Sequence, residues 1–311
     1  MARKPRIHFP GACYHVILRG NGGQALFYRK QDRSRFFILL QEGIERYGHC
    51  IHAFCLMTNH VHIAIQVGDI PLSRIMQNLS FRYTRFVNSG KKRIGHLFQG
   101  RYKAILIDVD SYLLELIRYI HLNPVRAGIT KTPDEYPWSS HKAYLGVEKI
   151  EWLTTEWLLS QFAKRVVNAQ KKYARFINRG MAEEHRKEFH SGTFEGRILG
   201  EDNFIERSLA RAEEKHARKL SLDDLIRAVC DHYKLKQQEL SSGGRQRKLS
   251  QPRAVLAYLV RETNELTLAG LSKKFERDLS GLSQAAARLE KRMQTDKNLS
   301  KEVYNIKNLI K

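Results

Sequence analysis

The chain has no C-x-x-C pair: Cys13, Cys50, Cys55 and Cys230 lie at irregular spacings. That argues against a zinc or disulfide framework and suits reduced, mostly buried thiols in a cytoplasm. No segment approaches the roughly 20 apolar residues of a membrane span. The start, MARKPRIHFPGACYHVILRG, is basic but holds no apolar run long enough for a signal peptide, so a soluble, cytoplasmic protein with no membrane partner is expected. A GxxxxGK(S/T) phosphate loop is also missing, so nothing points to ATP as an energy source. Acidic side chains are few, with 32 Asp and Glu against 54 Lys and Arg and a net charge of +22. Such an excess is hard to explain on an enzyme for neutral metabolites, and it makes nucleic acid the leading partner.

What is present divides into three stretches. At 311 residues the chain exceeds the usual single domain, so two domains are expected. CYHVIL at 13–18 reads as a strand running into a glycine-rich loop, and residues 32–47 carry a helical apolar stripe. HCIHAFCLM and HVHIAIQV read as a hairpin joined by Thr58 and Asn59. LSRIMQNLSFRYTRFVNS is helical, GHLFQGRYKAILID is a loop and strand, and SYLLELIRYIHLNPVRAG is a helix that Asp110 or Ser111 can cap and Pro124 and Gly128 limit. This order predicts an α+β fold with helices on one side of an antiparallel sheet. The first domain is placed at 1–165 and a charged helical linker at 166–218. An all-α domain follows at 219–295, opened by a capping box of Ser221 and Asp224, and the chain closes with a tail at 296–311.

His60-Val61-His62 sits in a strand, where residues two apart point to one side, so both imidazoles can converge on one ion. The triplet by itself reads more simply as two strand histidines. In RYIHLNPVRAG, Tyr119 and Asn123 lie four apart and stack on one helix face. Spacing alone equally accommodates Tyr119 as a core aromatic beside Leu116 and Ile120, but Arg118 and Arg126 flank the pair. If this face covers the histidine strand, a phenol, an amide and two imidazoles meet. A divalent cation there would neutralise a phosphodiester, and a phenol with a pKa of about 10 would have to lose its proton as it attacks. The phosphotyrosine ester keeps the bond energy, so rejoining needs no ATP.

These motifs, with Leu56-Met57-Thr58-Asn59 ahead of the histidines, GHLFQGRYKA, and Tyr136-Pro137-Trp138-Ser139-Ser140 after the helix, resemble the single-tyrosine HUH transposases, in particular the bacterial REP-associated tyrosine transposases. The resemblance covers about the first half of the chain. It implies a ferredoxin-like antiparallel sheet with helices on one face and cleavage of single-stranded DNA through a 5'-phosphotyrosine. It also implies a Mg2+ or Mn2+ ion and hairpin DNA at palindromic repeats. By position, His60 and His62 match the histidine ligands, Tyr119 the nucleophile and Asn123 the third ligand, where many relatives carry the longer glutamine. Arg19, Asn21, Arg82, Arg101, Lys103, Arg118 and Arg126 are the candidate DNA contacts. Classical mobile members act as dimers that exchange tyrosine helices, and the REP-associated branch can act as monomers; monomer and homodimer both stay open.

The stretch SSGGRQRKLSQPRAVLAYLVRETNELTLAGLSKKFERDLSGLSQAAARLEKRM is similar to the helix-turn-helix domain of the replication initiator DnaA, which binds duplex DNA. Arg245, Arg247, Lys248 and Arg253 match its backbone-touching basic segment, and Arg277, Ser280 and Gln284 fall around its recognition helix. The initiator's typical histidine and threonines are replaced by Leu279, Ser280 and Gly281, so its target sequence does not carry over. Three readings follow: a nucleoid-associated, transposase-type nuclease, a domesticated DNA-binding regulator that has lost the chemistry, and an RNA-processing protein.

Overall fold

The computed structural model describes residues 7–182, 186–217, 221–242, 247–263 and 266–309. The chain separates into two compact units, Met1–Glu213 and Glu214–Lys311. In the first, β1 (Cys13–Arg19), α1 (Lys30–Tyr47), β2 (Cys50–Leu56), β3 (His60–Gln66), α2 (Leu72–Lys91), β4 (Lys103–Ile107) and α3 (Val109–Arg126) follow in order. The sheet order is β2-β3-β1-β4, all antiparallel, with the two-residue β5 (Ile198–Leu199) parallel to β4 at the edge. This is the expected α+β arrangement, but its helices pack on both faces of the sheet and not on one.

Alternation along the strands sorts the side chains. Ile63 and Ile65 of β3 meet Leu39 and Leu40 of α1 and Ile75, Met76 and Leu79 of α2, which form the expected helical layer. The opposite face receives α3. Register fixes what shares that second face: Arg19 stands opposite His60, and Ile17 stands opposite both His62 and Lys103. Slipping β1 by one residue would turn His15 and Arg19 into the apolar layer.

The helix α3 starts at Val109 with Asp108 at its N-cap position, a turn earlier than Ser111 would set it, and runs through Pro124 to Arg126. Proline lacks the N–H that would bond the Ile120 carbonyl. The Asn123 side chain fills in, its Nδ2 donating to Ile120 O at 3.4 Å and to Tyr119 O at 3.0 Å. Gly128, at φ +66°, then ends the run.

The stretch assigned to a linker belongs largely to the first unit. After the short α4 (His141–Tyr144) and α5 (Glu156–Ser160), α6 (Val166–Arg179) buries Ala169, Tyr173 and Ile177 in the same core as the sheet. The following α7 (Glu188–Ser191) buries Phe189, and α8 (Asp202–Ala217) buries Ile205 and Ala212. Dense charge on the exposed faces hid these spaced apolar positions. The Tyr173 hydroxyl bridges His121 Nδ1 (2.7 Å) and His141 Nδ1 (2.8 Å), tying α6 to α3 and α4. The far nitrogens reach Ser140 Oγ (2.6 Å) and Asp134 Oδ1 (2.7 Å). Tyr173→Phe strands two buried ring nitrogens and is expected to cost the first unit about 2–4 kcal/mol. Its tryptophan fluorescence in urea measures this, since Trp138, Trp152 and Trp157 all lie within Met1–Glu213.

The second unit is helical: α9 (Leu222–Tyr233), α10 (Gln237–Ser241), α11 (Arg247–Glu262), α12 (Leu268–Phe275), α13 (Leu279–Met293) and α14 (Lys297–Asn308). Ser221 and Asp224 form the expected capping box on α9. The residues assigned to a tail instead build α14, capped by Asp296 and burying Leu299, Val303 and Ile306 in this unit's core. Their i, i+4, i+7 spacing is an ordinary apolar stripe.

Candidate active site and DNA-facing residues

On the second face of the sheet, α3 lays Tyr119 over β1 and β3. Its ring centroid lies 5.8 Å from those of both His62 and His15, and His60 stands 4.9 Å from His62. Tyr119 and His62 are each 1% exposed, so the group is nearly closed from solvent. His15 Nε2 meets His62 Nδ1 at 2.9 Å, and His15 Nδ1 meets Phe189 O at 2.8 Å. His60 Nδ1 is held by Asn59 Oδ1 at 2.7 Å. His190 Nε2 lies 2.5 Å from the Tyr119 hydroxyl.

Burial sets the protonation of this cluster. It pushes His15 down to about 3 and His60 down to about 4, with the nearby Arg19 adding to the second shift. Both are neutral at pH 7. Burial raises the Tyr119 phenol to about 12, opposed by Arg126, whose guanidinium sits 5.3 Å over the ring, and by a hydrogen bond with Asn123. For His15 the linkage runs one way: above its ordinary 6.5 both folded and unfolded chains are neutral there and stability is complete. Below 6.5 the unfolded chain takes up the proton and the folded chain does not, so stability falls until about pH 3. The thermal midpoint of the first unit, read by tryptophan fluorescence, should therefore drop steadily between pH 6.5 and 4.

The donor set is compatible with a divalent cation. Two imidazoles, His60 and His62, whose Nδ1 atoms are held by other side chains follow the usual orientation of metal-binding histidines, and Asn123 contributes an amide near the phenol. Among the described residues no three His, Cys, Asp or Glu side chains are grouped to hold a metal ion. A site here needs the Asn123 carbonyl as its third protein ligand.

Residues 9–123 match the family described as Transposase IS200 like, and they span β1 to β4, α1, α2 and α3 up to Asn123. Residues 222–288 match the bacterial DnaA helix-turn-helix family, which covers α9 to most of α13. Curated relatives include the chromosomal replication initiator DnaA of Zymomonas mobilis, 28% identical over 142 residues, which is 45% of this chain and 28% of the relative. The DnaA of Sphingopyxis alaskensis is 31% identical over 90 residues, 29% of this chain and 20% of the relative. The chain thus spans less than a third of the length of these relatives. A solved structure described as the REP associates tyrosine transposase bound to a REP hairpin is 17% identical, with a TM-score of 0.41, and the match covers 49% of this chain and 96% of that one.

Around the cluster on the sheet face the basic residues fall into two groups. Arg19, Asn21, Arg101 and Lys103 are exposed, and Arg19 and Lys103 share the histidine face. The rest of the expected contacts have other work. Arg82 pairs with Glu42. Arg118 is 9% exposed, bonded to Glu115 at 2.5 Å and stacked 4.5 Å over Phe176, so it fastens α3 to α6 instead of facing DNA. Arg126 donates to Tyr119 O at 3.3 Å and covers the Tyr119 ring.

In the helix-turn-helix unit, Lys248, Ser280 and Gln284 are exposed. Arg253 is 8% exposed and donates to Leu240 O (2.8 Å) and Ser242 O (2.7 Å), closing the C-terminal end of α10. Arg277 donates to the same Ser242 O at 2.7 Å. Both were expected to touch DNA, and in this unit both join α10 to its neighbours. Arg245 lies outside the described residues, as does the side chain of Arg247. No helix among the described residues is long and apolar enough to cross a membrane.

Two members of the cluster escaped the sequence reading. His15 had a weak signal, since strand alternation puts it on the side of Ile17 and Arg19. His190 had none, because it stands in a charge-dense stretch and reaches Tyr119 across 71 residues of chain.

Proposed function

We propose that the first unit is a metal-dependent, single-strand DNA endonuclease and strand transferase of the transposase type, acting on hairpin or palindromic-repeat DNA through a 5'-phosphotyrosine. The observation that carries this reading is Tyr119 packed within 5.8 Å of His62 on the sheet face that also presents Arg19 and Lys103. His60, His62 and Asn123 would hold Mg2+ or Mn2+. When bound, such an ion neutralises a nonbridging phosphate oxygen and polarises phosphorus.

The chain's own groups do the rest. Arg19 and Lys103, on the histidine face, draw the phosphodiester to the cluster, and the exposed Arg101 and Asn21 add further contacts. Tyr119 attacks phosphorus, and the free 3'-hydroxyl stays poised to reverse the step. Arg126 on the phenol ring favours the phenolate that forms. The helix-turn-helix unit anchors the enzyme on duplex DNA, with Lys248 on phosphate and Ser280 and Gln284 at the start of the reading helix. A cytoplasmic, nucleoid-associated location follows from that partner.

The experiment uses hairpins drawn from the DNA flanking the coding region, labelled at the 3' end and incubated with Mn2+. A labelled band that migrates with denatured protein supports the reading. A domesticated, non-catalytic regulator is favoured by one observation, the 1% exposure of Tyr119, and predicts binding without that band. A stronger response to ribose hairpins would point to RNA. For the second unit, Lys248→Ala should lower duplex affinity and reduce the salt slope by about 1. Arg253→Ala should instead lower the thermal stability of that unit, because it removes the bonds at the end of α10.

A further inference from the structure

The residues that follow the transposase match reach back into its centre. The turn around α7 is held at three points. Phe189 is fully buried with its ring 5.1 Å from that of Tyr119, and its carbonyl meets His15 Nδ1 at 2.8 Å. Arg186 pairs with Glu115 of α3 at 3.0 Å and with Glu188 at 2.6 Å, and lies 5.1 Å over the Phe189 ring. These clamps set the His190 ring 5.7 Å from the Tyr119 ring, with Nε2 2.5 Å from the hydroxyl oxygen. That is within reach of direct proton transfer.

Resting on the reading above, we propose that His190 is a catalytic residue that accepts the phenolic proton as Tyr119 attacks the phosphodiester and returns it on rejoining. In cleavage the phenolic oxygen forms its bond to phosphorus and its proton passes to His190 Nε2. The bond from phosphorus to the 3'-oxygen breaks, and its electron pair leaves with that oxygen. The 3'-oxygen takes a proton from solvent and the imidazolium gives one back, so the count closes. Rejoining runs the same steps in reverse. Other nitrogens of the cluster are placed less well for this. His15 Nε2 is bonded to His62 Nδ1, and His60 Nδ1 is bonded to Asn59. Burial of the phenol, which makes its proton harder to lose, makes an adjacent acceptor more valuable. On this account the catalytic unit extends beyond residue 123, where the family match stops, to at least His190.

The test measures single-turnover cleavage of a pre-bound, flank-derived hairpin by the full chain with Mn2+, alongside hairpin affinity in EDTA. His190→Ala and His190→Gln are each expected to lose about 10^2–10^4-fold in cleavage rate with affinity within twofold of the parent. Added imidazole should restore His190→Ala by tenfold or more and leave Tyr119→Phe dead. Cleavage by His190→Ala at the parent rate, or full cleavage by His190→Gln, which can hold the phenol but not take its proton, would overturn the proposal. So would a loss in both variants that imidazole does not relieve, the mark of a purely structural role. Cleavage by Tyr119→Phe would instead remove the reading on which this rests.

Discussion

Tyr119→Phe should abolish the protein–DNA adduct and lower cleavage by at least about 10^4-fold, the scale seen when a nucleophile is deleted. Phenylalanine keeps the ring that packs on Phe189 and beneath Arg126. Losing the hydroxyl removes its bond to His190, at a stability cost of about 1 kcal/mol. Hairpin affinity should stay within about twofold, because the phosphate is drawn by side chains that the substitution does not touch. The loss would therefore lie in the rate and not in binding, as expected for a group that acts only in the transition state. A Tyr119→Phe protein that still produced a labelled adduct would place the nucleophile elsewhere.

His62→Ala is expected to show a double effect. Removing the imidazole should weaken Mn2+ binding, measured by calorimetry, by at least about tenfold and cleavage by at least about 10^2-fold, since even outer-shell partners of metal ligands are worth 10–100-fold. It also empties space among closely packed rings and deprives His15 Nε2 of its bond at 2.9 Å. A stability loss of about 2–4 kcal/mol should accompany it. His62→Gln retains more volume and should recover part of the stability without the metal affinity. Unchanged Mn2+ affinity in both variants would exclude His62 as a ligand.

Much of the first unit was legible because its elements carry strong local periodicity. The four long strands and α1 to α3 follow from alternation and from the 3.6-residue stripe, and H-x-H needs only strand geometry to put two imidazoles on one side. Tyr119 and Asn123 share a helix face for the same reason. Less could be read where a residue's role depends on partners far away in the chain. Arg82, Arg118, Arg253 and Arg277 looked like DNA contacts because basic residues in a basic chain all look alike until their neighbours are known. In the folded units Arg82 and Arg118 meet Glu42 and Glu115, and Arg253 and Arg277 both meet the Ser242 carbonyl. The supposed linker failed as a linker because α6 packs one narrow stripe, Ala169, Tyr173 and Ile177, beneath a heavily charged exterior.

From the sequence alone came the basic character, the order of strands and helices, the presence of two units and the pairing of each site residue with its near neighbour on one strand or helix. These are short-range matters, decided by side-chain period and local sterics. Only the tertiary structure decided that α3 crosses to the face opposite α1 and α2, that His15 backs His62, and that His190 meets the Tyr119 hydroxyl. Those encounters depend on strand register and on burial of scattered apolar anchors such as Phe189. Each is satisfied by contacts tens of residues apart, which no local pattern encodes.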